Sequence, residues 1–282
     1  MDQGFAMRRM RRDELDRVVQ WAAAEGWNPG VHDADAFFAA DPDGFFVGTL
    51  DGELIASISI VRYHRAYAFL GFYIVRPEFR GKGFGIRLWD HALGLVDASA
   101  IGLDGVVAQI PAYERSGFRL AYRSARYATS VSAPPAEPVH ASPVRDADLD
   151  EVQHYDARVF GTPRPEFLEA WLAQPGLHAR VVRDGGQVAG YGAIRAAVDG
   201  YRIGPLFADT PMIAETLLDA LLLTTSTGAK VSIDVPGANP AALGIVEARG
   251  MRPEFETARM YRGAAPPIAL ANTYGVTSFE LG

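Results

Sequence analysis

The sequence predicts an α+β protein, a mixed and mostly antiparallel sheet flanked by helices, laid down twice along one chain. Three observations carry that expectation. Hydrophobic periodicity switches between strand-like and helix-like repeats in a set order in the first half, and the second half repeats the order more faintly. Gly117, Arg119, Tyr122, Ser124, Ala125 and Arg126 recur 133 residues later as Gly250, Arg252, Phe255, Thr257, Ala258 and Arg259, and Arg11, Leu15, Asp16 and Val18 recur 134 residues later as Arg145, Leu149, Asp150 and Val152. Pro134, Pro135, Pro138 and Pro143 lie among small residues near mid-chain, the composition of a semi-rigid linker over 132–143. The expected units are therefore 1–131 and 144–282.

The elements follow in order. A short strand over 5–10 leads into a helix over 12–24, because Leu15, Val18, Val19 and Ala22 fall on one helical stripe. Glycine and proline break the chain over 26–30, and a second helix follows near 34–40, with Asp33 and Asp35 read as its caps. Strands are predicted over 45–50, 54–63 and 67–75, the first two joined at Asp51-Gly52, a hairpin dipeptide. A glycine-rich turn, a helix over 86–96, a strand near Ile101, a helix ending near Ser116 and a strand from Phe118 complete the unit.

Composition narrows the function. At roughly 150 residues per domain, 282 residues suit two units. Lys plus Arg number 27 against 34 Asp plus Glu, a net charge of −7, which argues against nucleic acid as a partner. Without cysteine there is no disulfide, zinc-thiolate site or thiol nucleophile. No apolar run is long enough for a bilayer and no apolar core follows Arg8, Arg9, Arg11 and Arg12, so a cytoplasmic protein without membrane contact is expected, as monomer or homodimer. The set His32, Asp33 and Asp35 is too scattered for a metal site, and no metal is expected.

The most informative segment is 75–88, Val-Arg-Pro-Glu-Phe-Arg-Gly-Lys-Gly-Phe-Gly-Ile-Arg-Leu. It passes from an apolar strand through alternating glycines into an amphipathic helix. Gly81, Gly83 and Gly85 let backbone N–H groups turn inward, the helix N-terminus adds partial positive charge, and Arg80 and Lys82 add full charges. This is an anion site. It lacks the GxxxxGK[ST] of a Walker loop, and Ile86 replaces the third glycine of a dinucleotide fingerprint.

Arg80-x-x-Gly83-x-Gly85 after Ile74-Val75 resembles the acetyl-CoA pyrophosphate loop of the GCN5-related N-acetyltransferases (GNAT), and Ala112-Tyr113-Glu114-Arg115-Ser116-Gly117-Phe118 is similar to the family's later helix–strand motif. Asn239-Pro240-Ala241 and Gly250-Met251 look like the same motif in the second half, so the resemblance covers nearly the whole chain as tandem GNAT-like domains. It implies acetyl-CoA as co-substrate, held by Arg80, Gly81, Lys82, Gly83, Phe84, Gly85 and Ile86, with the backbone of Ile74 and Val75 holding the pantetheine arm and the thioester carbonyl. It also implies that Tyr113 protonates the departing thiolate. Direct transfer to a primary amine of a small molecule follows, since no cysteine offers an acyl-enzyme. The alternative is a non-catalytic acyl-CoA-binding or interaction protein.

Departures from the family pattern matter. The positions on the fourth strand where the family often carries a general base are Gly71 and Phe69, and Val106 replaces a frequent asparagine. Glu25, beside Trp27 and Asn28 where the acceptor usually enters, reads either as a base or acceptor contact or as a solvated helix-end carboxylate. His64 falls at the far end of its strand and is set aside. In the second half, Ala208-Asp209-Thr210-Pro211 has neither glycines nor cations, and Val246 falls at the tyrosine position, so no CoA site is expected there. The last residues, 274–282, alternate like a strand. They either complete the second unit or cross to the first, bringing Glu280 or the Gly282 carboxylate near Tyr113.

Overall fold

The protein is described here by a computed structural model covering residues 4–64, 66–132 and 140–282. Its first half contains β1 (Phe5–Arg9), α1 (Arg12–Ala24), α2 (Asp33–Ala40), β2 (Phe45–Leu50), β3 (Glu53–His64), β4 (Tyr67–Val75), α3 (Phe84–Gly94), β5 (Ala100–Val106), α4 (Ile110–Arg115) and β6 (Arg119–Ser130). The second half repeats the series as β7 (Ala141–Pro143), α5 (Leu149–Phe160), α6 (Pro165–Leu172), β8 (His178–Asp184), β9 (Gln187–Ala196), β10 (Tyr201–Ala208), α7 (Pro211–Leu222), β11 (Lys230–Pro236), α8 (Pro240–Ala248) and β12 (Arg252–Gly263). It then adds β13 (Thr273–Gly275). Of the segment read as a linker, 141–143 pairs as β7 with β8, whereas 133–139 lie outside the described residues, as does the His64 side chain.

The stripe on α1 packs as its spacing dictates, with Leu15, Val18 and Ala22 buried. Asp33 and Asp35 are not caps. His32 precedes α2 without a side-chain cap, and Asp33 instead accepts from the Gly30 amide and both arms of Arg195, while Asp35 pairs with Arg12. A buried carboxylate needs such partners, and Arg195 on β9 supplies them from the other half.

The halves interleave. The sheet runs β1-β2-β3-β4-β5-β12-β6-β11-β10-β9-β8-β7, with β13 on β10. Pairing each strand with its repeat, β1 with β7 through β6 with β12, makes this order read the same from both ends. The pseudo-two-fold passes between Ser124 and Thr257, which face each other across β6 and β12. Each half thus lends its last long strand to the other: β12 seats on β5 and β6 on β11, covering edges that would otherwise be open. One core crosses the boundary, with Leu15, Phe37 and Phe72 joined to Val152, Trp171 and Tyr191.

Within each half the fourth and fifth strands are parallel and part company. β4 follows β5 only over Tyr67–Leu70, and β10 follows β11 only over Tyr201–Ile203. In the first half the divergence starts at a bulge. Phe72 has a φ of +46°, and its carbonyl accepts from the Ser57 hydroxyl at 2.8 Å. The two gaps then differ. β13 pairs with β10 inside the second gap, and the Val276 amide donates to the Asp234 carbonyl of β11, so that opening is filled by the chain itself. The first gap stays open.

The strand expected over 274–282 is only partly formed. After Gly275 the chain curls, with the amides of Leu281 and Gly282 bonded back to Ser278, and residues 273–282 are all buried. Alternation in sequence failed here because both sides of the segment face protein, one half on each side. Tyr63 donates to the Leu281 carbonyl at 2.8 Å, tying the tail to the first half.

Candidate active site

The open gap between β4 and β5 leads into a cleft of about 610 Å³ lined by Tyr73, Ile74, Val75, the 80–86 loop, Trp89 and Tyr113. Loop conformation follows from its glycines. Gly81 and Gly83 have φ of +73° and +82°, which side-chain-bearing residues avoid, and nothing approaches the positions where their β-carbons would lie. Gly85 serves packing instead, since a β-carbon there would stand 2.6 Å from the Tyr73 hydroxyl. Gly83 precedes α3, and no side chain caps that helix. Its first amides, exposed glycines and neighbouring cations suit a diphosphate.

The corresponding helix of the second half is closed to an anion. Thr210 caps α7 by accepting from Ile213 N at 3.3 Å, and the Asp209 carboxylate accepts from Tyr155, Arg158 and Asn272. Asn239 adds to the closure. It caps α8 and donates to the Leu270 and Thr273 carbonyls, fastening the segment that fills the gap.

Glu25 and Arg80 form an ion pair at the cleft, while Arg80 Nε also donates to the Val75 carbonyl at 2.8 Å. Glu25 therefore faces the large cleft from its rim. Lys82 donates to the Glu78 carbonyl at 2.8 Å and lies over the Phe79 ring.

Tyr113 lines both the cleft and a second, smaller cavity of about 60 Å³. Its ring stacks on Trp89 with centroids 5.8 Å apart, and Gly105 leaves bare backbone against it, where a β-carbon would collide. Burial raises its phenol above the usual value, with the Val106 backbone hydrogen bond acting in the opposite direction. The hydroxyl therefore stays protonated through neutral pH. Tyr73 lines both spaces too, but Gly85 of α3 covers its hydroxyl.

The small cavity is built by both halves. Trp27, Phe72, Phe255 and Phe279 give it aromatic walls, and Asp104, Arg126 and Glu280 are its charged members. Asp104 is held by both arms of Arg259 at 2.8 and 2.6 Å. Arg126 holds Asp234 at 2.7 and 3.0 Å and donates to the Trp27 carbonyl at 2.5 Å. The two arginines are repeat partners, and each crosses to a carboxylate of the opposite half. Glu280 is different. It is 3% exposed, its Oε1 lies 3.7 Å from Arg202, and its Oε2 has no hydrogen-bond partner among the described residues. The Gly282 end, by contrast, packs on Phe69 and Phe160, outside this cavity.

The acetyltransferase (GNAT) family profile matches residues 8–118, and an acetyltransferase (GNAT) domain profile matches 152–275. A holothin acyltransferase of Pseudoalteromonas sp. (strain SANK 73390) is 34% identical over 96% of this chain and 92% of its own. The chain belongs to the GNAT family. It is a tandem GNAT protein, with a second copy that has lost the open gap. Solved structures share the fold: a candidate acetyltransferase of Pyrococcus horikoshii has a TM-score of 0.85 at 22% identity, over 99% of this chain and 96% of that one. A tandem GNAT protein from the clavulanic acid pathway has a TM-score of 0.64 at 16% identity, over 93% of this chain and 99% of that one.

Sequence reasoning missed Phe255 and Arg126 as site members, because the exchange of β6 and β12 is what brings them to the cavity. The repeat of Arg126 as Arg259 was the available signal. Among the described residues no helix is long and apolar enough to cross a membrane, and no group of three His, Asp or Glu is placed to hold a metal.

Proposed function

We propose that this tandem GNAT protein transfers an acetyl group from acetyl-CoA to the primary amine of a small molecule, directly and within a ternary complex. The observation that carries this is that Tyr113 lines both cavities. The diphosphate of CoA would lie on the amides of 81–86, beside Arg80 and Lys82. The pantetheine arm would extend along the exposed edge of β4 at Ile74 and Val75, where β5 has diverged. The thioester then reaches Tyr113 from one side and the amine from the other, the proximity that direct transfer requires.

The amine lone pair attacks the thioester carbonyl, the C–S bond breaks, the sulfur takes the electron pair together with the Tyr113 proton, and the proton shed by the nitrogen returns to the Tyr113 oxygen. The relative named as a holothin acyltransferase matches both halves, which supports acyl transfer by the whole chain. The smaller cavity's volume of about 60 Å³ supports a small acceptor group over a folded protein surface.

Tyr113→Phe separates an enzyme from a protein that only binds acyl-CoA. The expected result is unchanged acetyl-CoA affinity with turnover reduced roughly 10²- to 10⁴-fold, the usual worth of a positioned acid. Turnover equal to the parent's would remove Tyr113 from the chemistry.

A further inference from the structure

The tail places a carboxylate beside β4, which carries none of its own there. β4 carries Gly71 at the point of divergence, and a β-carbon there would collide with the Glu280 carbonyl oxygen. Bare backbone at 71 thus lets the tail lie against β4, and Glu280 and Tyr113 line the same cavity. Before Glu280, β13 is fixed in the second gap and Phe279 packs near Phe255 with ring centroids 6.3 Å apart; after it, the Leu281 carbonyl accepts from Tyr63. Both ends of the short tail are anchored, so the carboxylate is held by packing rather than by a full ion pair.

The surrounding charges leave it available. Asp234 draws both Arg126 and Arg202 into close contact, and Arg202 reaches only one oxygen of Glu280, at 3.7 Å. Asp104, the other acid of the cavity, is saturated by Arg259. A buried carboxylate oxygen without a donor is costly, and it is tolerated where a ligand brings the donor. An amino group has N–H donors to spare.

We propose that Glu280 is the catalytic base and amine-binding residue of this site, and that the acceptor is a primary amine borne on a small apolar group that fits the cavity of about 60 Å³. This rests on the acetyl-transfer reading above and assigns its missing group. Oε2 accepts an N–H hydrogen bond that orients the nitrogen, while the aromatic walls hold its small apolar substituent. As the nitrogen bonds to the carbonyl carbon it sheds one proton to Glu280. The C–S bond then breaks, and the sulfur leaves with its electron pair and the Tyr113 proton. Glu280 returns its proton to the Tyr113 oxygen as the amide departs, which restores both groups. An amine that arrives as an ammonium loses one further proton to water. Because the tail belongs to the second half, that half contributes catalysis without binding CoA.

The test uses the full chain with acetyl-CoA and three probes: methylamine, ethylamine and isopropylamine. Released CoA thiol gives turnover, and calorimetry gives acetyl-CoA affinity. With at least one probe acetylated, Glu280→Gln is expected to lower kcat about 100-fold or more and leave acetyl-CoA affinity within threefold. Glu280→Asp keeps the carboxylate and is expected to retain at least tenfold more activity than Glu280→Gln, which a merely structural role would not produce. Turnover by Glu280→Gln within threefold of the parent overturns the proposal. So does acetylation of none of the three amines by a chain that binds acetyl-CoA. Absence of acetyl-CoA binding would instead overturn the wider acetyl-transfer reading.

Discussion

At the scale of single residues, the two crossing ion pairs organise the centre of the molecule. Arg126–Asp234 and Arg259–Asp104 are copies related by the repeat, each buried and each joining one half to the other. Asp234 alone has a second guanidinium, Arg202, and the two arginines hold its carboxyl down at about 2, against the cost of burial. A folded value below the unfolded one gives stability that is present above about pH 4 and lost as the pH falls toward 2. Asp234→Asn is therefore expected to flatten the acid limb of a melting-temperature profile, with Glu280 and Asp33 the acids left acting on Arg202. It should also cost about 3–5 kcal/mol at neutral pH, because two buried guanidiniums lose a partner. Thermal unfolding from pH 7 down to pH 2 checks both; an unchanged acid limb would refute the linkage. The arginines were visible in the repeat at an offset of 133, but the aspartates recur at 130, so their pairing was hidden by a three-residue difference.

At the scale of elements, the glycine-rich turn before α3 was the most legible part of the chain. Its chemistry is local: glycines, cations and a helix start lie within a dozen residues, and the α3 end is indeed left without a side-chain cap. Strand periodicity was equally local and located the strands, but a period of two does not name a strand's neighbour. The exchange of β6 and β12 was therefore invisible, and the tail's alternation misled because a segment buried on every side has no solvent face to alternate against. The loop's ion pair makes a prediction of its own. Arg80 is engaged by Glu25 and by the Val75 carbonyl at the cleft where the cofactor would bind. Arg80→Ala should weaken acetyl-CoA binding roughly tenfold, the worth of one charge-assisted contact less its existing partner. Glu25→Gln should tighten it a few-fold by releasing the guanidinium. Calorimetric titration reads both, and weaker binding by Glu25→Gln would contradict the competition.

At the scale of the whole molecule, the repeat has been divided between two tasks. The first half keeps an open gap, an uncapped helix start and Tyr113. The second fills its gap with β13, caps its helix with Thr210, and carries Val246 in its core where the first half has Tyr113. The freed C-terminal segment then crosses to the first half and places Phe279 and Glu280 in the cavity. Interleaved strands make this division workable, since they hold the two gaps in one rigid sheet and share one core. The central claim, one working gap served by both halves, is tested most directly by titrating the intact chain with acetyl-CoA in a calorimeter. The expected result is one molecule bound per chain. Two molecules per chain would show that the second gap still opens, and none would show that the first is closed as well.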